Sequence, residues 1–172
     1  MAADFDPSEY QEFPEALLNS VNFPGDGLTP GQMLALDLDH ARRFRSGDHD
    51  AVKAKSLIEE PVYECHPQAV EMRGIDAVRY MHEHSPMKDP EFRDTLKIRS
   101  VSYGYNTMTL EWSKVYRMPD GSTKRCHAIA VIPYEDGKLT GERVYTDANL
   151  AQIKDHAYGQ DFYDRPDVTS LS

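Results

Sequence analysis

Between His127 and Asp147 the sequence reads HAIAVIPYEDGKLTGERVYTD, and its second half carries a guanidinium, a phenol and a carboxylate at alternate positions: Arg143, Tyr145 and Asp147. A period of two is that of a β-strand, so these three share one face with Leu139, while Glu142 and Val144 share the other. A face ending in such groups can hold or move a proton. The carboxylate would act as acid or base, and the phenol and guanidinium would receive developing negative charge. Each residue also has a purely structural reading. Asp147 immediately precedes ANLAQIKDH, where it would cap a helix, and Arg143 would pair with Asp147 or Glu142 across the sheet.

Histidines supply further proton carriers. His40 and Asp37 fall on the apolar arc of a helix, where each needs a partner or a cavity. His66 stands before Pro67, as a proton carrier or a turn residue at an opening. His127 alternates with Ile129 and Val131 and is either a site residue or a buried, hydrogen-bonded histidine. Tyr63 and Glu64 are neighbours on a strand and point to opposite faces, so only one can share a pocket. The triplet His82-Glu83-His84 suggests a metal, but on a helix i and i+2 diverge, whereas zinc helices use i and i+4. No metal site is expected. Cys65 and Cys126 form no CxxC pair and are expected as thiols.

The elements that must position these groups are legible in outline. Thr29, Pro30 and Gln32 give an N-cap, a first-turn proline and a capping box, and Gly47 stops the helix after Ser46. Met33, Leu36, His40 and Phe44 share its apolar arc, which continues into Leu34, Leu38 and Ala41. A second short helix is expected over Asp48 to Leu57, and a short strand over Val62 to Cys65, with Pro61 at its start or on an edge. Ala69 to Arg73 would pair back on it, and Gly74 opens a helix with IDAVRYMHEH. Thr95 to Tyr103, Asn106 to Arg117 and Ser122 to Tyr134 read as long strands, with Met108, Leu110 and Trp112 on one face. Asp136-Gly137 turns the last hairpin.

Length and charge bound the function. A chain of 172 residues and 19.6 kDa is read as one domain, at 29–156, between an N-terminal arm, 1–28, and a C-terminal tail, 157–172. The net charge of -10 argues against nucleic acid, whose binding rests on Lys and Arg. The start, MAADFDPSEYQEF, lacks a basic region and an apolar core, and no run of 18 apolar residues occurs, so no membrane partner and a cytoplasmic location are expected.

The stretch EDGKLTGERVYTDANLAQI resembles the end of SnoaL-like polyketide cyclases, within the wider nuclear-transport-factor-2-like and ketosteroid-isomerase superfamily, through Asp136, Gly137, Lys138, Leu139, Arg143, Tyr145 and Asp147. The element order from Thr29 onward is similar as well. The resemblance implies an α+β fold, a cone-shaped, strongly curved antiparallel sheet wrapped around N-terminal helices, and a homodimer formed through the sheet face. By position, Asp147 corresponds to the acid/base aspartate of the cyclases. Their partner histidine would fall near Pro133 and is missing unless His127 or His66 replaces it. His40 corresponds to the oxyanion tyrosine of ketosteroid isomerases, and His66 to their general base. Their second oxyanion acid would fall near Ile129 or Ala130, where no acid stands.

The expected function is therefore a cofactor-independent cyclase, isomerase or dehydratase acting on an apolar, oxygenated small molecule in an enclosed cavity. Asp147 with His66 or His40 would carry protons, and Tyr145, Arg143, Tyr63, His127, Asp37 and Trp112 would line the ligand. A non-catalytic ligand-binding or dimerisation module of the same fold is the alternative. An epoxide hydrolase of the limonene type ranks third, because the hairpin lacks its Arg-x-Asp.

Overall fold

The computed structural model describes residues 27–48, 55–86 and 89–171. Helix α1, Pro30–Ser46, begins as its capping box dictates: Gln32 N donates to Thr29 Oγ1 and Thr29 N donates to Gln32 Oε1. It ends at Gly47, whose left-handed φ of 76° lets the chain turn away. Met33, His40 and Phe44 are buried, with Leu36 and Asp37 partly so. Leu34 and Leu38 lie outside the buried stripe, which is narrower than the sequence arc.

Seven strands form one strongly curved sheet: β1 Leu57–His66, β2 Val70–Arg73, β3 Lys97–Gly104, β4 Thr107–Arg117, β5 Thr123–Glu135, β6 Lys138–Thr146 and β7 Val168–Ser170. Their order is β3-β4-β5-β6-β1-β2-β7. Every pair is antiparallel except β1 with β6. Asp136 and Gly137 both take positive φ, 49° and 74°, as a two-residue hairpin turn requires. Along β5, Cys126, Ala128, Ala130, Ile132 and Tyr134 are buried in strict alternation, which fixes the inner face of the sheet.

Two apolar clusters fill that inner face. One joins Met33 and Phe44 of α1 to Leu57, Tyr63, Met72, Met108 and Ile132, with Val78 and Met81 of α2, Ile75–Glu83. The other packs Trp112, Tyr116, Cys126 and Val144 under Leu150 and Ile153 of α3, Ala148–Tyr158. Cys65 and Cys126 are both free thiols.

Two expectations change, and a third falls largely outside the described residues. Pro61 lies inside the ten-residue β1, between β6 and β2 rather than at a strand start or an edge; it is tolerated because the β1–β6 register shifts between Leu57 and Val62. The short helix read over Asp48 to Leu57 falls largely on residues outside those described, and Leu57 itself belongs to β1. The segment expected as a tail, 157–172, is ordered into elements over its described residues, 157–171. Gln160–Tyr163 make a helical turn, α4, with Phe162 fully buried, and β7 pairs with β2. The apolar spacing of Tyr158, Phe162 and Val168 carries this segment into the core. The expected arm lies outside the described residues except at Gly27 and Leu28, where Leu28 N donates to Asn106 Oδ1. No helix among the described residues is long and apolar enough to cross a membrane.

Candidate functional site

The site is set by an irregularity in β6. Tyr134 pairs with Leu139 and Val131 with Arg143, so β6 spends one residue more than β5 over the same span. Gly141 occupies the break, with φ 145°, and a Cβ there would lie 1.7 Å from Val62 O. Only glycine fits so close to a neighbouring strand in that conformation. The extra residue reverses the alternation. Leu139 remains inside, but beyond the bulge Glu142 and Val144 face inward, and Arg143 and Tyr145 face outward. The sequence period placed Arg143, Tyr145 and Asp147 with Leu139; the bulge separates them.

Glu142 therefore lands beside Tyr63, its partner in the parallel register, and Val144 beside Cys65. Glu142 is partly buried there, and the charge of Asp37 on α1 is near enough to act on it. Burial first, and then the Asp37 charge, push its pKa from 4.5 to about 7, while Lys154 of α3 pulls in the opposite direction. Such a carboxyl can give or take a proton at neutral pH.

A chain of hydrogen bonds runs alongside. Ser56 Oγ lies 3.0 Å from His40 Nδ1, and Tyr63 OH lies 3.2 Å from His40 Nε2. Burial depresses the His40 pKa to about 4, so the ring is neutral at pH 7. It then carries one N–H. If Ser56 donates to Nδ1, Nε2–H donates to Tyr63 and leaves the phenol proton free for another acceptor; the reverse tautomer uses that proton internally. Burial also raises the pKa of Tyr63 and Tyr134, keeping both as neutral phenols, and Tyr134 OH donates to Met33 O at 3.1 Å. Lys154 Nζ lies 3.8 Å from Cys65 Sγ, whose thiol is held neutral mainly by burial.

Of the residues singled out in the sequence, the structure brings Asp37, His40 and Tyr63 to this interior group. Asp147 is elsewhere, as the N-cap of α3. Its Oδ1 accepts from Leu150 N and its Oδ2 from His127 N, each at 2.8 Å. His66 and Tyr145 stack on the outer sheet face, ring centroids 4.7 Å apart, and His66 pairs with Glu64 at 3.3 Å. His127 is exposed on the same side, near Arg99, because the even-numbered residues of β5 are the ones that turn inward. Trp112 faces inward but belongs to the cluster under α3. His82 and His84 of the suspected triplet stack on different rings, Phe44 and Tyr80.

Glu142, Lys154, Ser56 and Tyr134 were not singled out as site residues. A glycine inside a strand is a bulge signal, and at Gly141 it carried the information that would have turned Glu142 inward. Lys154 sits four residues after Leu150 and four before Tyr158, on the buried stripe of its helix, which is an unusual place for an ammonium.

The fold is that of the nuclear-transport-factor-2-like proteins. An NTF2-like protein from Burkholderia xenovorans LB400 superposes with a TM-score of 0.58 at 17% identity, covering 74% of this chain and 99% of that one. A proposed SnoaL-like polyketide cyclase from Jannaschia sp. CCS1 gives 0.58 at 15% identity, over 76% and 98%. A proposed ketosteroid isomerase from Kribbella flavida DSM 17836 gives 0.52 at 13%, over 68% and 78%. No protein-family model and no curated protein matches the sequence.

Proposed function

We propose that the protein is a cofactor-independent acid/base enzyme, a cyclase, isomerase or dehydratase, acting on an apolar oxygenated small molecule held against the inner face of the sheet. The observation that carries this reading is Glu142. A carboxyl turned to the inner face in the row of Tyr63, its pKa pushed up to about 7 by burial and the Asp37 charge, is poised to give and take a proton near neutrality. Glu142 takes the place that the sequence had suggested for Asp147, whose two oxygens are committed to backbone N–H groups. Tyr63, oriented by His40 and Ser56, is the neutral phenol that orients a substrate oxygen. Similarity to cyclase-like and isomerase-like folds is compatible with this chemistry but does not carry it, since one fold hosts many activities.

Exchange of the α-hydrogens of 2-tetralone, an apolar enolisable ketone, in deuterated buffer tests the reading by proton NMR. Wild type accelerates exchange, Glu142→Gln abolishes the acceleration, and Asp147→Asn retains it. The second reading, a binding module, is favoured if the ketone binds and no exchange follows. The epoxide hydrolase reading asks for an arginine beside an acid pair. Asp37 and Glu142 supply two acids, but Arg143 points to the opposite face, and that reading ranks last.

A further inference from the structure

Lys154 has no role in the fold that its burial would repay. It is 9% exposed, and its hydrogen-bond partner among the described residues is the thiol of Cys65, at 3.8 Å. An ammonium has three donors, and a neutral thiol is a weak acceptor for one of them. A buried cation so poorly satisfied costs stability unless something else offers it oxygen. Glu142 is near enough to feel its charge, yet the two form no ion pair. The register explains the spacing. Glu142 stands in the row of Tyr63, and Lys154 reaches the row of Cys65, two residues or about 6.7 Å further along the strands.

We infer that Lys154 is the oxyanion-stabilising residue of the interior, receiving the oxygen of an enolisable carbonyl compound whose adjacent carbon faces Glu142. This rests on the acid/base reading of Glu142 and adds the group that accepts the charge. The step balances. The Glu142 carboxylate takes the proton from the α-carbon, and the C–H electron pair becomes the enolate C=C bond. The carbonyl π pair moves to oxygen, so the negative charge leaves Glu142 and arrives at Lys154. The interior keeps the same net charge throughout, which is what a site screened from water requires. Return of the proton to the same or a conjugated carbon completes an exchange or an isomerisation. Tyr63, on the Glu142 row, then orients the substrate rather than holding the oxyanion.

The test extends the 2-tetralone exchange assay to Lys154 in the full chain. Lys154→Met is expected to lower kcat by about 10²-fold, the effect of removing one oxyanion donor, with KM moved less than about threefold. Its pH–rate midpoint moves upward, because the cation that favours the Glu142 carboxylate is gone. Lys154→Arg keeps the cation and retains kcat within about tenfold. A Lys154→Met variant that turns over like wild type, or a Lys154→Arg variant that falls as far as Lys154→Met, overturns the assignment and leaves Glu142 standing. Absence of exchange by wild type overturns both.

Discussion

The two sides of β6 carry nearly the same chemistry with opposite fates. Outside and at the strand end lie Arg143, Tyr145, His66 and Asp147; inside lie Glu142, Tyr63, His40 and Asp37. The outer groups are satisfied or wet. Asp147 is held by two N–H donors, and Tyr145, 43% exposed, lies flat on His66. The inner groups are buried or partly buried, and burial shifts the proton affinities of Glu142, His40 and Tyr63. An acid, a phenol and a histidine within reach of each other do not by themselves make a reactive site. Burial is the further difference between the two sets, and a single extra residue at Gly141 decides which set is turned inward.

The largest perturbation of that contrast is at the bulge. Gly141→Val forces a side chain into Val62 O and a β-branched residue into a left-handed φ. A loss of about 4 kcal/mol or more is expected in urea unfolding, with the inner and outer sets no longer distinguished. A loss below about 1 kcal/mol would show that the strand realigns without its bulge.

Next in size is a pair of opposed pH dependences. The folded-state pKa of Glu142 is raised, so its unfavourable contribution is absent below about pH 4.5, grows as pH rises, and is complete above about 7. His40 has a depressed pKa, so its penalty is absent above about 6.5 and grows as pH falls toward 4. Each is on the order of 3 kcal/mol, and between about pH 4.5 and 6.5 they offset. Glu142→Gln removes one side, and its stability is expected to fall between pH 6.5 and 4.5 while wild type stays nearly flat. Urea midpoints across that range decide it. A flat Glu142→Gln profile would mean that His40 ionises freely in the folded protein.

The smallest expected change is on the outside. Asp147→Ala removes the cap of α3 and the acceptor for His127 N, at about 1–2 kcal/mol, with 2-tetralone exchange retained. Loss of exchange in that variant would tie Asp147 to the interior group after all.

Local signals in the sequence were read correctly where one element suffices to carry them. Thr29 and Gln32 announce the start of α1, and Asp136-Gly137 announces the hairpin, because caps and two-residue turns are decided by their own few atoms. The antiparallel order of β3 to β6 follows from short connections. Parity in β6 is not legible from periodicity, because a period of two holds only while the strand is regular, and Gly141 marks where it breaks. Lys154 was not read either. Its buried stripe is visible in ANLAQIKDHAY, but what it meets, Cys65, is a strand of the other half of the chain. Of the residues the sequence singles out, the three that reach the interior, Asp37, His40 and Tyr63, lie on regular stretches whose inward face is set locally or by simple alternation.

The parallel pairing of β1 with β6 also fixes when the site comes into being. Thr146 Oγ1 donates to His66 O across 80 residues of sequence, so this contact closes a long loop. Closing so long a loop is entropically costly, and contacts of this range are the slow part of folding. A partly folded chain can own the β4–β5 hairpin and α1 and still lack any juxtaposition of Tyr63 with Glu142. Binding at the proposed interior site is thus expected to recover only once β1 has paired with β6 when the denatured protein is returned to buffer.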